Sequence, residues 1–394
     1  MTTAAGSDPL IASLVHLRDA IGVLSVYVGV DPRTDATARP PWAISLDREL
    51  DVLRTKLRKE GPHERWVAFD RRLRELAPAL ARAVDATEHG RGRGLFAAVG
   101  SGEVHSIAAQ TVLPTGATLG EVAHVLPLLA ANEGAPMGLV LVGRDIVRAL
   151  ETRLSATVEL VSFDVEPSVA DGPERKGPAA SNPLRAQHVV SQRERYERHV
   201  EAGHRGLLKK AAEAVSGLAV ERGWELAVVA GDPRGGRPLM DELRRHGVES
   251  ELVDRGLAEL RPAQALEELA PILASLRRRR DLGLVGRARD AALSGGRGAL
   301  GLADTLTALA EGRVDRLLLD GSRDVVGAVG PGGELLPAGV VPPGVTGSEL
   351  RSEPLLTDRA ALRALESGAR VTVVDGEAAL ALADADGVAA LLRW

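Results

Sequence analysis

The sequence predicts an α/β protein of three consecutive domains. Its length of 394 residues is enough for two to four domains. Short β-rich apolar runs recur along it, as at residues 23–30, 137–142 and 225–230. Nearly continuous apolar character is the mark of strands buried on both faces. Between these runs lie longer stretches whose apolar residues repeat at three, four or seven, the period of amphipathic helices. The boundaries predicted are 1–132, 133–276 and 277–394.

Residues 11–20 read as a short helix before the strand at 23–30, which Asp31-Pro32 ends. Helices are predicted at 44–59, stopped by Gly61-Pro62, and at 64–86, with Trp66, Val67, Leu73, Leu76, Leu80 and Val84 on one face. RGRG at 91–94 is read as a turn entering a strand rather than as an RNA-binding tract, and Gly100 and Gly102 set a tight turn between strands 95–99 and 103–108. Residues 126–136 have a linker-like composition and close the first domain.

The strand at 137–142 opens the second domain. After residues 156–163 a tract rich in Pro, Gly and small residues interrupts the regular pattern, and a long helix follows. In that helix Tyr196, Val200, Leu207, Ala211, Val215 and Leu218 share a stripe, with arginines and lysines between them. The strand 225–230 leads through GDPRGGRP into a helix predicted to begin near Pro238, since proline suits a first helical position. This loop matches neither a Walker loop nor a GxGxxG fingerprint, and turn chemistry explains its glycines. Asp232 stands at the strand end without a second acid placed to share a metal.

RRRR at 277–280 closes a helical stretch, with a further helix at 286–293. Two readings stay open for the four arginines: cations favoured at a helix carboxyl end, or contacts to nucleic-acid phosphates. A helix within ALGLADTLTALAEG and a strand RVDRLLLD follow, then an irregular insertion at 330–347 and alternating short strands and helices to the end.

Composition narrows the chemistry. With no cysteine, thiolate catalysis, disulfides and zinc–sulfur or iron–sulfur sites are excluded. The nine histidines form no HExxH pair, and no metal or cofactor is expected. The start MTTAAGSDPL lacks a basic segment followed by an apolar run, and the most apolar tract is too short to cross a bilayer, so a cytoplasmic protein without membrane association is expected. A formal charge of -5 argues against a uniformly basic coat, yet only five of the 49 basic residues are lysines. Arginine makes forked contacts to phosphate, so where these residues fall matters more than the net value.

The succession of three α/β units, with strand, strand, loop and long basic helix in the second, resembles the bacterial branch of the archaeal and eukaryotic release-factor superfamily. SVYVGVDP near the start, GRGALGLADTLTALAEGRVDRLLLD opening the third unit and the terminal DGVAALLRW are similar to its bacterial members. The superfamily holds translation termination factors, the ribosome-rescue factor Pelota, its hibernation relative Balon and a group that cleaves peptidyl-tRNA. The resemblance implies an RNase-H-like central domain whose projecting loop, 164–183, reaches toward the peptidyl-transferase centre, and a last domain like the release-factor carboxyl-terminal unit.

In active members the loop carries GGQ just before a helix of the form SALR…YxRxV. Here SNPLR at 181–185 and YERHV at 196–200 correspond without a length change, which places Pro178, Ala179 and Ala180 where Gly-Gly-Gln would stand. Ester cleavage needs an oriented water and donors for the developing oxyanion, and proline and alanine side chains supply neither. No catalytic residue is therefore assigned, and Gln187 and Gln192 fall inside the helical region, beyond the tip.

The resemblance implies the ribosome as partner, through its RNA and the P-site tRNA, with a translational GTPase as a further partner. Arg175, Lys176, Arg185, Arg193, Arg195 and Arg198 are the candidates for contact with ribosomal RNA. The leading expectation is a factor that occupies the A site without hydrolysing peptidyl-tRNA, in hibernation or rescue. An active release or tRNA-cleaving factor with a non-standard loop and a non-ribosomal interaction scaffold are the alternatives.

Overall fold

Pro41 opens the second helix, where a missing N–H and a fixed φ cost nothing, and this pattern of local rules carries through most of the chain. The structure is a computed structural model that describes residues 9–30, 40–109, 111–132, 136–152, 157–164, 183–323 and 325–394, with backbone alone across 183–202. In chain order the elements are α1 (Pro9–Val15), β1 (Arg18–Gly29), α2 (Pro41–Glu60), α3 (His63–Val84), β2 (Gly92–Ala98), β3 (Val104–Ala109), β4 (Gly116–Val122) and α4 (Leu126–Asn132). Next come β5 (Met137–Val142), β6 (Ile146–Thr152), β7 (Thr157–Asp164), α5 (Pro183–Arg222), β8 (Leu226–Gly231), α6 (Pro233–Arg245), β9 (Glu249–Val253) and α7 (Pro262–Leu293). The rest is β10 (Gly298–Leu300), α8 (Leu302–Ala310), β11 (Val314–Asp320), β12 (Gly327–Val329), β13 (Leu335–Pro337), β14 (Arg351–Glu353), α9 (Leu356–Glu366), β15 (Arg370–Val374), α10 (Gly376–Leu380) and β16 (Val388–Leu392).

These form a multi-domain α/β fold that divides into two compact units. The first is built chiefly from Met1–Gly134 and Arg277–Trp394, the second from Ala135–Arg153 and Thr157–Leu276. In the first unit, β3-β2-β1-β4 is an antiparallel sheet, β10-β16-β11-β15 is a mixed sheet and β13-β12-β14 is a small antiparallel one. The second unit has one mixed sheet, β7-β6-β5-β8-β9, with β5, β8 and β9 parallel.

The two ends of the sequence share a core in the first unit. Leu14, Tyr27, Phe96 and Leu128 pack in one cluster with Leu306, Leu317, Leu356 and Ala361. A buried carboxylate ties the same halves: Asp358, on α9, accepts the backbone N–H groups of Val125 and Leu126 at 2.7 and 2.9 Å and lies 2.9 Å from His124 Nδ1. It caps the start of α4 from outside, satisfying donors that a helix leaves without partners. Tyr27 donates its hydroxyl to the His124 carbonyl, and burial with the nearby Asp358 charge pushes that phenol well above its ordinary value.

RGRG is not the turn expected before a strand at 95–99: β2 already starts at Gly92, so Gly92, Arg93 and Gly94 are strand residues. Arg93 is 5% exposed and donates to the carbonyls of Arg82, Ala83, Asp85, Glu88 and His89, so its guanidinium closes the carboxyl end of α3. Burial lowers its pKa from the ordinary arginine value.

Several boundaries differ from expectation. The first helix stops at Val15 and β1 already begins at Arg18, because a bulge between Arg18 and Val23 lets the strand start early against β4. The linker-like stretch carries α4, whose Leu126, Leu128 and Leu129 are core residues. Helix α6 starts at Pro233, five residues before Pro238, with Asp232 as its cap: the carboxylate accepts Arg234 N at 2.8 Å. The insertion at 330–347 contains β13, paired antiparallel to β12. Most informative is α7, a single helix through RRRR where two helices were expected. The division between the two units falls inside it, between Leu276 and Arg277.

Candidate functional site

The predicted loop leaves β7 after Asp164 and returns at Pro183, the start of α5. Pro178, Ala179, Ala180, Arg175 and Lys176 lie outside the described residues. Arg185, Arg193, Arg195 and Arg198 all fall on α5, whose backbone is helical there, while their side chains, with those of Gln187 and Gln192, lie outside the described part. The site is therefore built from its two anchors.

The first anchor is β7, the edge strand that delivers the chain to the loop. It pairs antiparallel with β6 from Thr157 to Asp164. Arg148 of β6 reaches Glu159 of β7 through Nε at 3.1 Å and Nη2 at 2.6 Å, and its Nη1 donates to the carbonyls of Ala258 and Leu260. The forked pair raises the Arg148 pKa and lowers that of Glu159.

The second anchor is α5. Its 40 residues span about 60 Å at a rise of roughly 1.5 Å per residue. The distal half holds it down: Leu207, Leu208, Ala211, Val215 and Ala219 are buried in the core over Val140, Val147 and Val229. Three of these, Leu207, Ala211 and Val215, belong to the stripe expected from the sequence; Leu218 is half-buried. Arg205, Lys209 and Lys210 are exposed, as the basic solvent side requires. At the root of the loop a cleft of about 340 Å³ opens between the two anchors, lined by Phe163 and Asp164 of β7 and by Gly203, Gly206 and Lys210 of α5. No atom comes within 4 Å of where a Cβ on Gly206 would stand, so this glycine widens the cleft.

The GDPRGGRP loop is structural. A Cβ on Gly231 would lie 2.3 Å from the Val142 carbonyl oxygen, and one on Gly236 would lie 2.5 Å from a Leu252 methyl group. The close approach of β5 requires Gly231, which has a φ of 153°, and close packing of α6 on the sheet requires Gly236. The four arginines of RRRR are likewise not at a helix end. Arg280 is 7% exposed and pairs with Asp281 at 2.9 Å, while burial, with Arg280 beside it, pushes Arg277 down to about 10. Burial also raises the Asp281 pKa, against the opposing pull of Arg280.

Among the described residues no group of three or more His, Asp or Glu could hold a metal, and no helix is long and apolar enough to cross a membrane. A further cleft that sequence reasoning missed lies in the first unit, about 490 Å³ in volume and rimmed by Arg18, Arg351, Arg359 and Arg363. Its residues come from opposite ends of the chain, so no local pattern marks it.

A strand and a long helix on a mixed five-stranded sheet, without a metal cluster among the described residues, define an α/β protein whose 40-residue helix is its distinctive part. Residues 124–281, which contain this whole site, match the family model described as bacterial archaeo-eukaryotic release factor family 10. The match covers this central stretch, less than half of the chain.

Among solved structures, the chain is similar to an archaeal translation termination factor, aRF1, at 17% identity over 98% of this chain and 96% of that one, with a TM-score of 0.23. It is also similar to Dom34 of S. cerevisiae, a translation termination-like factor, at 10% identity over 74% and 75% of the two chains, with a TM-score of 0.37. A ribosome-bound archaeal Pelota matches at 15% identity over 77% of each chain, with a TM-score of 0.39. No curated protein matches the chain.

Proposed function

We propose that the protein is a ribosome-binding translation factor of the release-factor and Pelota type, which occupies the A site without hydrolysing peptidyl-tRNA and serves hibernation or rescue. The observation that supports this reading is a family match over 124–281, a stretch in which the resemblance of SNPLR and YERHV to the family's helix would set Pro178, Ala179 and Ala180 opposite Gly-Gly-Gln. Glycines would permit the unusual backbone path and a glutamine would position the attacking water. Neither is present, so binding survives and hydrolysis does not.

On this reading the chain has three functional domains, 1–132, 133–276 and 277–394, the central one RNase-H-like and the last akin to the release-factor carboxyl-terminal domain. The protein works in the cytoplasm, with the ribosome, its P-site tRNA and a translational GTPase as partners. The long helix anchored at Leu207, Leu208 and Val215 supports a loop aimed at ribosomal RNA, and the cations Arg175, Lys176, Arg185, Arg193, Arg195 and Arg198 hold phosphates.

Co-sedimentation with ribosomes at low and moderate salt tests the proposal. Binding should weaken as salt rises, with each lost phosphate contact contributing about 0.7 to 0.9 to the log–log slope. Reversing Arg193, Arg195 and Arg198 to glutamate together should flatten that dependence and release the protein. Free protein at both salt concentrations would exclude ribosome binding, and peptide release from stalled complexes would identify an active factor instead.

A further inference from the structure

The cleft of about 490 Å³ in the first unit has the size of a small-ligand site, a class that runs from about 300 to 1,000 Å³. Its walls come from β1, β4, the β12–β13 turn, β14 and α9. Val122, Val329 and Leu362 are buried side chains on its apolar side, and Leu335 adds to them. Gly332 and Gly333 form the turn at its edge, where Gly333 takes a φ of 84° and a Cβ on Gly332 would strike the Glu334 carboxylate.

The four arginines differ in how far they are committed. Arg359 is fixed, with a side chain 12% exposed and held by Glu353 and Glu121. Arg18 and Arg351 have side chains 52% and 59% exposed and pair with Glu366 and Glu121. Exposed pairs of this kind stabilise by about 0 to 1 kcal/mol, so a stronger anion can displace the carboxylate. Arg363 lies one helical turn beyond Arg359 on the same face of α9. It is exposed and, among the described residues, has no ion pair or side-chain hydrogen bond.

We propose that this cleft binds the phosphate monoester of a nucleotide: Arg363 and Arg18 take the phosphate through forked N–H donors, Arg359 fixes the local field, and the base lies on the apolar side. A guanidinium left without a carboxylate beside an apolar surface suits a ligand with a flat body and a compact dianion. Two sources carry this chemistry, a free mononucleotide and the 5′ end of an RNA. The inference is independent of the proposed ribosomal role.

Calorimetry on the full chain distinguishes the sources with four probes: AMP, GMP, a 5′-phosphorylated RNA pentamer and the same pentamer with a 5′ hydroxyl. Saturable binding of AMP or GMP supports a free nucleotide; binding of the 5′-phosphorylated pentamer alone supports an RNA end. Arg363→Glu should weaken the binding about tenfold or more, the loss of one charge-assisted contact, while its melting temperature stays that of the parent. Arg18→Ala provides a second variant with a smaller loss. No heat with any probe, equal binding of the 5′-hydroxyl pentamer, or unchanged affinity in both variants would overturn the proposal.

Discussion

Arg280 and Arg363 lie in the same unit on different helices, and the contrast between them separates structural cations from available ones. Arg280 is 7% exposed on α7 and bonded to Asp281, with the half-buried Arg277 beside it. Arg363 is exposed on α9 at the rim of a cleft. The run of four arginines is the more conspicuous in sequence, yet Arg280 is buried and Arg277 half-buried in the protein's own packing, while Arg278 and Arg279 are exposed. Arg363, an isolated arginine in an ordinary amphipathic helix, is exposed at a cleft instead. Charge density along a sequence is thus a poorer guide to a binding surface than exposure and pairing.

The largest test of this contrast is Arg280→Ala, which leaves Asp281 buried beside a cavity. It should destabilise the protein by about 3 to 5 kcal/mol, the range for breaking a buried pair from one side, as measured by urea unfolding. A change within 0.5 kcal/mol would place Arg280 with the available cations.

Next comes pH. Burial works against the charge of Glu121, but hydrogen bonds and charge from Arg359 and Arg351 outweigh it and hold the carboxyl below its ordinary value of 4.5. A depressed folded-state pKa stabilises above the unfolded value and is lost as pH falls through the folded one, so this contribution should fade on acidification below about 4.5. Asp281 has the opposite sign, because its raised pKa makes protonation favour the folded state. Between pH 6 and 3 Glu121→Gln should therefore lose less stability than the parent; parallel losses would show that the cleft's ion pairs are inert.

The smallest effect is expected from Arg363→Ala, with stability within about 0.5 kcal/mol of the parent, since nothing in the fold depends on that guanidinium. A larger loss in thermal unfolding would move Arg363 to the structural side and remove the basis for the cleft as a site.

Much of the architecture was legible because its causes are local. The β2–β3 hairpin follows from apolar runs around a glycine turn, and the anchored half of α5 from the spacing of Leu207, Ala211 and Val215. The turn expected at RGRG is strand from Gly92 on, and the use of Arg93 as a cap for α3 depended on where that helix ends in space. At the candidate site, the stripe that anchors α5 is visible directly in the sequence, whereas the cleft between β7 and α5 came from the fold. The break assigned within RRRR failed because four like charges look like a solvated terminus until burial supplies Asp281.

The sequence by itself determined the alternation of strands and helices and the lack of thiol chemistry, since one is a property of neighbouring residues and the other of composition. Only the tertiary structure decided that the two ends of the chain share one core. Asp358 caps a helix 232 residues away, and Arg18 meets Glu366 across 348. Hydrophobic periodicity says which face of an element will be buried. It does not say against which other element, because that depends on the packing of surfaces far apart in sequence.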